Sequence, residues 1–312
     1  MNSYRCLKTA LIYSSMKSML VHLYRKHVPV SLREKIYFLF LGQLLGIYRN
    51  FPAWRKGFRI YLFSPFYPKN EYYDAYRFIG KHGVSAYPFK ASLKYRQMPS
   101  VQYDDIEQLH FIDHHNKRLY FPHSYQERQI KGLYRSLLIE QDPESSHRYV
   151  VSYDELKGKT LLDIGTAEGI FSLDTIDFVN KVYLFECEEE WIKPLQATFK
   201  PWKEKVEIVR KYVGDSDSGD FVTLDSFMKG KEQNNLFIKM DIEGAEQSAL
   251  KGAKKLLATG KGMSFSVCTY HKEDDLKEIT SFFESLGYTY ELTKGYFFMI
   301  PHMRKAICRG NN

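Results

Sequence analysis

From residue 160 onward the chain alternates short apolar runs with amphipathic stretches. Thr160–Ile164, Lys181–Phe185, Val206–Val209, Leu236–Met240 and Met263–Val267 are runs dominated by Val, Ile, Leu, Phe and Met, the pattern of strands buried on both faces. Between and after them, residues 168–178, 188–199, 245–257 and 273–286 repeat apolar positions at helical spacing. Strand–helix alternation of these lengths predicts an α/β fold with a doubly wound parallel sheet. "YTYELTKGYFFMI" (288–300) adds two strands around a Thr-Lys-Gly turn, a C-terminal antiparallel hairpin.

The first half of the chain has a different rhythm. Residues 1–60 read as helices interrupted by Pro29 and Pro52, and residues 61–105 as irregular, aromatic chain with four prolines. "LHFIDHHNKRLYFP" (109–122) alternates like a β-hairpin, with Asp113, His114 and His115 at a solvated tip. "SYQERQIKGLYRSLLIEQD" (124–142) is an amphipathic helix capped by Ser124. The expected organisation is a basic helical arm (1–60), an accessory region (61–150), the α/β domain (151–304) and a tail (305–312).

Charge sharpens this division. Residues 1–60 hold eleven Lys/Arg against one acid, Glu34, so the rest of the +8 chain is slightly acidic. A basic, aromatic helical arm can lie on an anionic membrane; the alternative is helices packed on the protein's own core with solvated charges. "IYFLFLGQLLGIY" (36–48) is too short to span a bilayer. Nucleic acid is disfavoured, because the cations do not gather on the domain that carries the glycine loop. Four dispersed cysteines without paired spacing argue against a disulfide framework and for a reducing, cytoplasmic setting.

The candidate chemistry begins at "TLLDIGTAEGIFSLD" (160–174). Gly165 and Gly169 follow the first strand, where backbone can bend and approach a ligand. Glu186 ends the second strand, placed to accept ribose hydroxyls. A dinucleotide would call for Gly-x-Gly-x-x-Gly and a bare helix N-terminus for the pyrophosphate. Here Ala167 replaces the middle glycine and Glu168 would repel a phosphate, whereas the Asp163/Glu168 neighbourhood suits the cationic S-adenosylmethionine.

"LFIKMDIEGAEQSALKGA" (236–253) follows, a strand ending in Asp241 and Glu243 before Gly244 and a helix. With "LDIGTAEGIFSL", "LFECEEEWIKPLQATF", "TLDSF" and "YHKEDDLKEI", this block makes residues 160–300 resemble the FkbM-type S-adenosylmethionine-dependent O-methyltransferases. The resemblance implies a Rossmann-like, seven-stranded methyltransferase sheet. It implies that Asp163, Gly165, Thr166 and Gly169 line the methionine and ribose side, that Glu186 takes the ribose, and that Asp215 lies beside the adenine. Asp241, also near the cofactor, and His271 are the candidate bases. Glu243 faces the transfer site, Glu246 opens the next helix, and His147 and Arg148 form either a lid or a linker. "RLYFP" and "EQDPESSHRY" are similar to a branch of the family found with surface-polysaccharide genes.

Methyl transfer to oxygen is an in-line displacement that gains from positioning and from a base. Asp241 and Glu243 offer two carboxylates for Mg2+ without a clear third, so no metal is assigned. The resulting expectation is a cytoplasmic O-methyltransferase acting on a glycan or glycan precursor, with peripheral contact at the inner membrane face through residues 1–60. RNA or lipid acceptors and a non-catalytic adapter are the alternatives.

Overall fold

The computed structural model describes residues 42–312. Helices α1 (Gly42–Leu62) and α2 (Tyr73–His82) precede a three-stranded sheet of β1 (Gln102–Asp104), β2 (Leu109–His114) and β3 (Lys117–Phe121), then helix α3 (Glu127–Glu140). The α/β part begins with β4 (Thr160–Ile164), α4 (Ile170–Thr175), β5 (Lys181–Phe185), α5 (Glu189–Phe199) and β6 (Val206–Val209). Two short strands, β7 (Tyr212–Val213) and β8 (Phe221–Val222), and α6 (Leu224–Phe227) lead to β9 (Leu236–Met240), α7 (Glu246–Lys251) and α8 (Lys254–Thr259). The chain ends with β10 (Ser264–Cys268), α9 (Asp275–Ser285), β11 (Thr289–Leu292), β12 (Phe297–Met299), β13 (His302–Arg304) and β14 (Ile307–Asn311).

Seven strands form the main sheet in the order β11-β14-β10-β9-β4-β5-β6. The five from β10 to β6 are parallel and β14 runs antiparallel between β10 and β11. Alternate residues feed opposite cores. Leu161, Val182 and Leu184 face one, and Leu162, Ile164, Tyr183 and Phe185 the other, as the two-residue period of a strand requires. Ile112, Leu119, Phe121, Ile130 and Leu137 join the first of these cores, so hairpin and α3 pack directly on the α/β layer. The chain winds outward from β4 to β6, then returns to β9 on the other side of β4. That reversal makes the carboxyl ends of β4 and β9 the topological switch point, the place where such sheets bind ligands.

The parallel strands fall where the apolar runs place them, except that the fifth starts one residue later, at Ser264. Other expectations are corrected. The C-terminal antiparallel pair is β11 with β14, not the two halves of residues 288–300; β12 instead pairs with β13 in a small ribbon. Residues 305–312 are therefore not a tail, because β14 fills the place between β10 and β11. The helix expected at 245–257 divides into α7 and α8 at Gly252, where a Cβ would lie 1.9 Å from the Gly214 carbonyl. Gln126 and Gln129, not Ser124, form the capping box of α3. His114 is no solvated tip: it is 1% exposed, bonding Tyr134 and Asp174 at 2.8 Å each, while His115 and Asn116 make the turn at positive φ.

Pro52 lies inside α1 and does not end it, while Pro29 falls outside the described residues. Within the stretch expected to be irregular, α2 forms and packs on α1. Gly57 and Gly80 bring these two helices into backbone contact; a Cβ on Gly57 would stand 2.4 Å from the Tyr76 carbonyl oxygen. Gly57→Ala is expected to cost about 1–3 kcal/mol through overpacking. A lowered denaturation midpoint with faster amide exchange in α1 and α2 checks this, and an unchanged midpoint contradicts it.

Candidate active site

The glycine loop owes its shape to its neighbours. Gly165, at φ +79, sits so close to β9 that a Cβ would meet the Asp241 carbonyl oxygen at 1.9 Å. Gly169, at φ +80, leaves no room for a Cβ against Leu195 and Phe199. Between them Ala167 holds φ +48, a left-handed conformation costing roughly 1 kcal/mol for an L-residue. Glu186 compensates: Oε2 accepts the Ala167 N–H and Oε1 the Glu188 N–H, each at 2.7 Å. The carboxylate thus clamps the loop to the end of β5 and retains lone pairs for a ligand.

Charges around this loop differ from the sequence expectation. Asp163 and Lys239 are register partners on β4 and β9, and their side chains form a buried pair at 3.0 Å. Ser172 Oγ donates to the other Asp163 oxygen at 2.6 Å, and Lys239 Nζ donates to the Gly165 carbonyl at 2.5 Å. Asp163 therefore supports the loop from below, its charge matched by Lys239. Thr166 is buried too, donating to the Asp163 carbonyl at 2.9 Å. Burial, reinforced by Glu140, pushes the Glu168 carboxyl up to about 8, so it is mostly neutral at pH 7. Electrostatic attraction of a sulfonium by Asp163 and Glu168, and repulsion of phosphate by Glu168, are accordingly weaker than their residue types suggest. Asp215 is exposed in the loop between β7 and β8 and joins none of these contacts.

Beyond β9 and β10 a second group converges on Asp241. Its Oδ2 accepts from Tyr149 at 2.8 Å and lies 3.8 Å from His147 Nε2, and its Oδ1 is 3.5 Å from His271 Nε2. Burial alone would raise the Asp241 carboxyl; His147, Lys239 and His271 outweigh that and hold it below the ordinary carboxylate range. His271 is nearly enclosed, with Nδ1 2.9 Å from Glu246 Oε1. Burial would lower this imidazole, but Glu246, then Asp241 and Glu243, raise it above the ordinary histidine value. Glu246 is fully buried at the start of α7 and accepts the Ile242 N–H at 2.9 Å, so it fixes the turn and places a carboxylate beside the ring. Glu243, 90% exposed and at φ +53, reaches within 3.6 Å of His271 Nε2.

Glu246 is also the third carboxylate that the strand-end pattern lacked. Ligand atoms of Asp241, Glu246 and His271 all lie within 4.8 Å of one another, close enough for a divalent cation. The contacts present place the Glu246 carboxylate beside the imidazole.

His147 reaches this site from the accessory region, 3.0 Å from the Tyr270 hydroxyl and 3.3 Å from Glu140. Burial would lower it, and Glu140 more than offsets this. Arg148 turns away, donating to the carbonyls of Val150 and Gln141 and lying over Tyr153, so it ties the connecting segment together and is not a lid. Tyr87, Glu140, Tyr149 and Tyr270 complete the wall: Tyr87 donates to Glu140 at 3.1 Å, and the Tyr149 hydroxyl, which donates to Asp241, lies 3.4 Å from Glu140. None of these four stands out in sequence.

A family model described as "Methyltransferase FkbM domain" matches residues 57–290. No curated protein matches the chain. Among solved structures, the methyltransferase FkbM from Methylobacillus flagellatus KT is 19% identical, covering 60% of this chain and 55% of its own, with a TM-score of 0.41; the chain thus spans about half the length of that protein. A SAM-dependent methyltransferase from Aquifex aeolicus is 17% identical, covering 60% of this chain and 97% of its own (TM-score 0.36). Magnesium protoporphyrin IX methyltransferase from Synechocystis PCC 6803, solved with bound SAM, is 14% identical, covering 50% and 72% (TM-score 0.33). With three quarters of its length inside the matched region, the chain belongs to the FkbM methyltransferase family.

Proposed function

We propose that the protein transfers a methyl group from S-adenosylmethionine to a hydroxyl of a glycan or glycan precursor, beyond the carboxyl ends of β4 and β9. The observation that carries this reading is the His271 imidazole, with Nδ1 2.9 Å from buried Glu246 and Nε2 3.5 Å from Asp241, at the same end of the sheet as the glycine loop. S-adenosylmethionine supplies the methyl and leaves as S-adenosylhomocysteine. Glu186 accepts the ribose hydroxyls, and the Gly165–Gly169 backbone receives the methionine part. As the acceptor oxygen bonds to the methyl carbon and the sulfur–carbon bond breaks, the hydroxyl proton passes to His271 Nε2. Asp241 stabilises the imidazolium formed, and Glu246 keeps the ring aimed. Tyr149 and Tyr270 are buried behind this site, and their hydroxyls brace Asp241 and His147. Cys187, Cys268 and Cys308 are free thiols, in keeping with a reducing, cytoplasmic setting.

The test is incubation with isotope-labelled S-adenosylmethionine and surface-glycan precursors, followed by mass spectrometry. An O-methyl ether on a sugar supports the reading. Label arriving only on nitrogen, carbon or RNA overturns it.

The base assignment also sets a pH dependence. His271 must be neutral to accept a proton, and Glu246, Asp241 and Glu243 raise its value above the ordinary figure of about 6.5. Activity should therefore climb as pH rises, with the midpoint of that limb above about 6.5. Glu246→Gln removes the strongest upward influence and should shift the midpoint downward. A limb that stays in place in the variant contradicts the assignment.

A further inference from the structure

Helix α1 is apolar on two sides. Ala53, Gly57 and Ile60 form the side buried with α2. On the other, Phe51, Trp54, Phe58 and Tyr61 succeed one another at three- and four-residue steps, Leu62 lies one turn after Phe58, and all five are 37–53% exposed. Phe51 stacks on Trp54 and Trp54 on Phe58, with ring centroids 6.0 and 5.1 Å apart. Phe63 and Phe66 carry the stripe past the end of α1, exposed by 58% and 88%. Beside it Arg55, Arg59 and Lys69 are exposed, and the sequence has no Asp or Glu between Glu34 and Glu71.

A contiguous exposed apolar stripe marks a surface that meets something other than water. Its chemistry selects the partner: large aromatic rings on the same short segment as cations, with no acid among them, match the headgroup level of an anionic bilayer. Among the described residues no helix is long and apolar enough to cross a membrane, so the contact is one of lying on the surface. We propose that α1 and the turn after it, Phe51 to Lys69, dock the protein on an anionic membrane surface, rings inserted among the headgroups and cations facing lipid phosphates. The inference stands apart from the methyl-transfer reading, and its test contains no methyl transfer.

The experiment is co-sedimentation of the full-length chain with sucrose-loaded vesicles of phosphatidylcholine containing one-third phosphatidylglycerol, and with phosphatidylcholine alone. Binding to the anionic vesicles, weakening as salt is raised, with little binding to neutral ones, is the expected result. Trp54→Ser with Phe58→Ser should lower the anionic partition coefficient on the order of tenfold. Thermal unfolding of this double variant should match the wild type, since both rings lie on the solvent side. Absence of wild-type binding overturns the proposal, whether residues 1–41 cover the stripe or another macromolecule occupies it. Unchanged partitioning of the double variant, or equal binding to both vesicle types, overturns it too.

Discussion

Glu186→Ala is expected to weaken S-adenosylmethionine binding about a hundredfold or more. A carboxylate accepting two ribose hydroxyls makes two charge-assisted hydrogen bonds, each contributing about 1.5–3 kcal/mol. The same substitution releases the N–H groups of Ala167 and Glu188, both now bound at 2.7 Å. Without that clamp Ala167 keeps its left-handed backbone with nothing to hold it there, so the loop loses pre-organisation as well as a ligand contact. Equilibrium dialysis with labelled cofactor measures the loss. Affinity within threefold of the wild type would remove Glu186 from the cofactor site.

His271→Ala should lower kcat by about 10²–10⁴, the range for loss of a positioned base, while leaving cofactor affinity within about threefold. The split follows from geometry: His271 Nε2 addresses Asp241 and Glu243, and its contacts do not include the glycine loop or Glu186. Glu246→Gln tests the positioning role. Glutamine still accepts the Ile242 N–H that Glu246 accepts at 2.9 Å, so the turn survives while the imidazole loses its charged partner. Its kcat loss should be smaller than that of His271→Ala. Turnover unaffected by His271→Ala would assign the proton to another group, and an equal fall in cofactor affinity would assign His271 to binding.

The parallel strands were legible because each is buried on both faces and reads as an uninterrupted apolar run that no other element of that length produces. Strand β14, "ICRGN", was not, since it mixes Arg and Gly with only two core residues, Ile307 and Cys308. Its pairing with β11 spans an intervening ribbon that local pattern cannot reveal. Helix α2 was hidden for a different reason: it is ten residues long, and its buried stripe of Tyr73, Tyr76 and Ile79 reads like the aromatic, proline-flanked chain around it.

The site divides in the same way. Gly165, Glu186 and Asp241 were visible because each sits at a strand's carboxyl end, a place the strand pattern itself defines. What Asp163 does was not visible, because its partner Lys239 becomes a neighbour only once β9 returns beside β4. The charge of Glu168 was misjudged because burial, which sequence does not display, raises its carboxyl. Tyr149 and Glu140 enter the site through tertiary packing alone. The identity of the cofactor therefore rests more on Glu186 and the shape of the loop than on local charge.

Calorimetry of the full-length protein against S-adenosylmethionine and, separately, NAD tests that central assignment most directly. Saturable one-to-one binding of S-adenosylmethionine is expected, with no heat from NAD, whose pyrophosphate meets a loop in which Ala167 replaces the middle glycine. No binding of S-adenosylmethionine, or tighter binding of NAD, would contradict it.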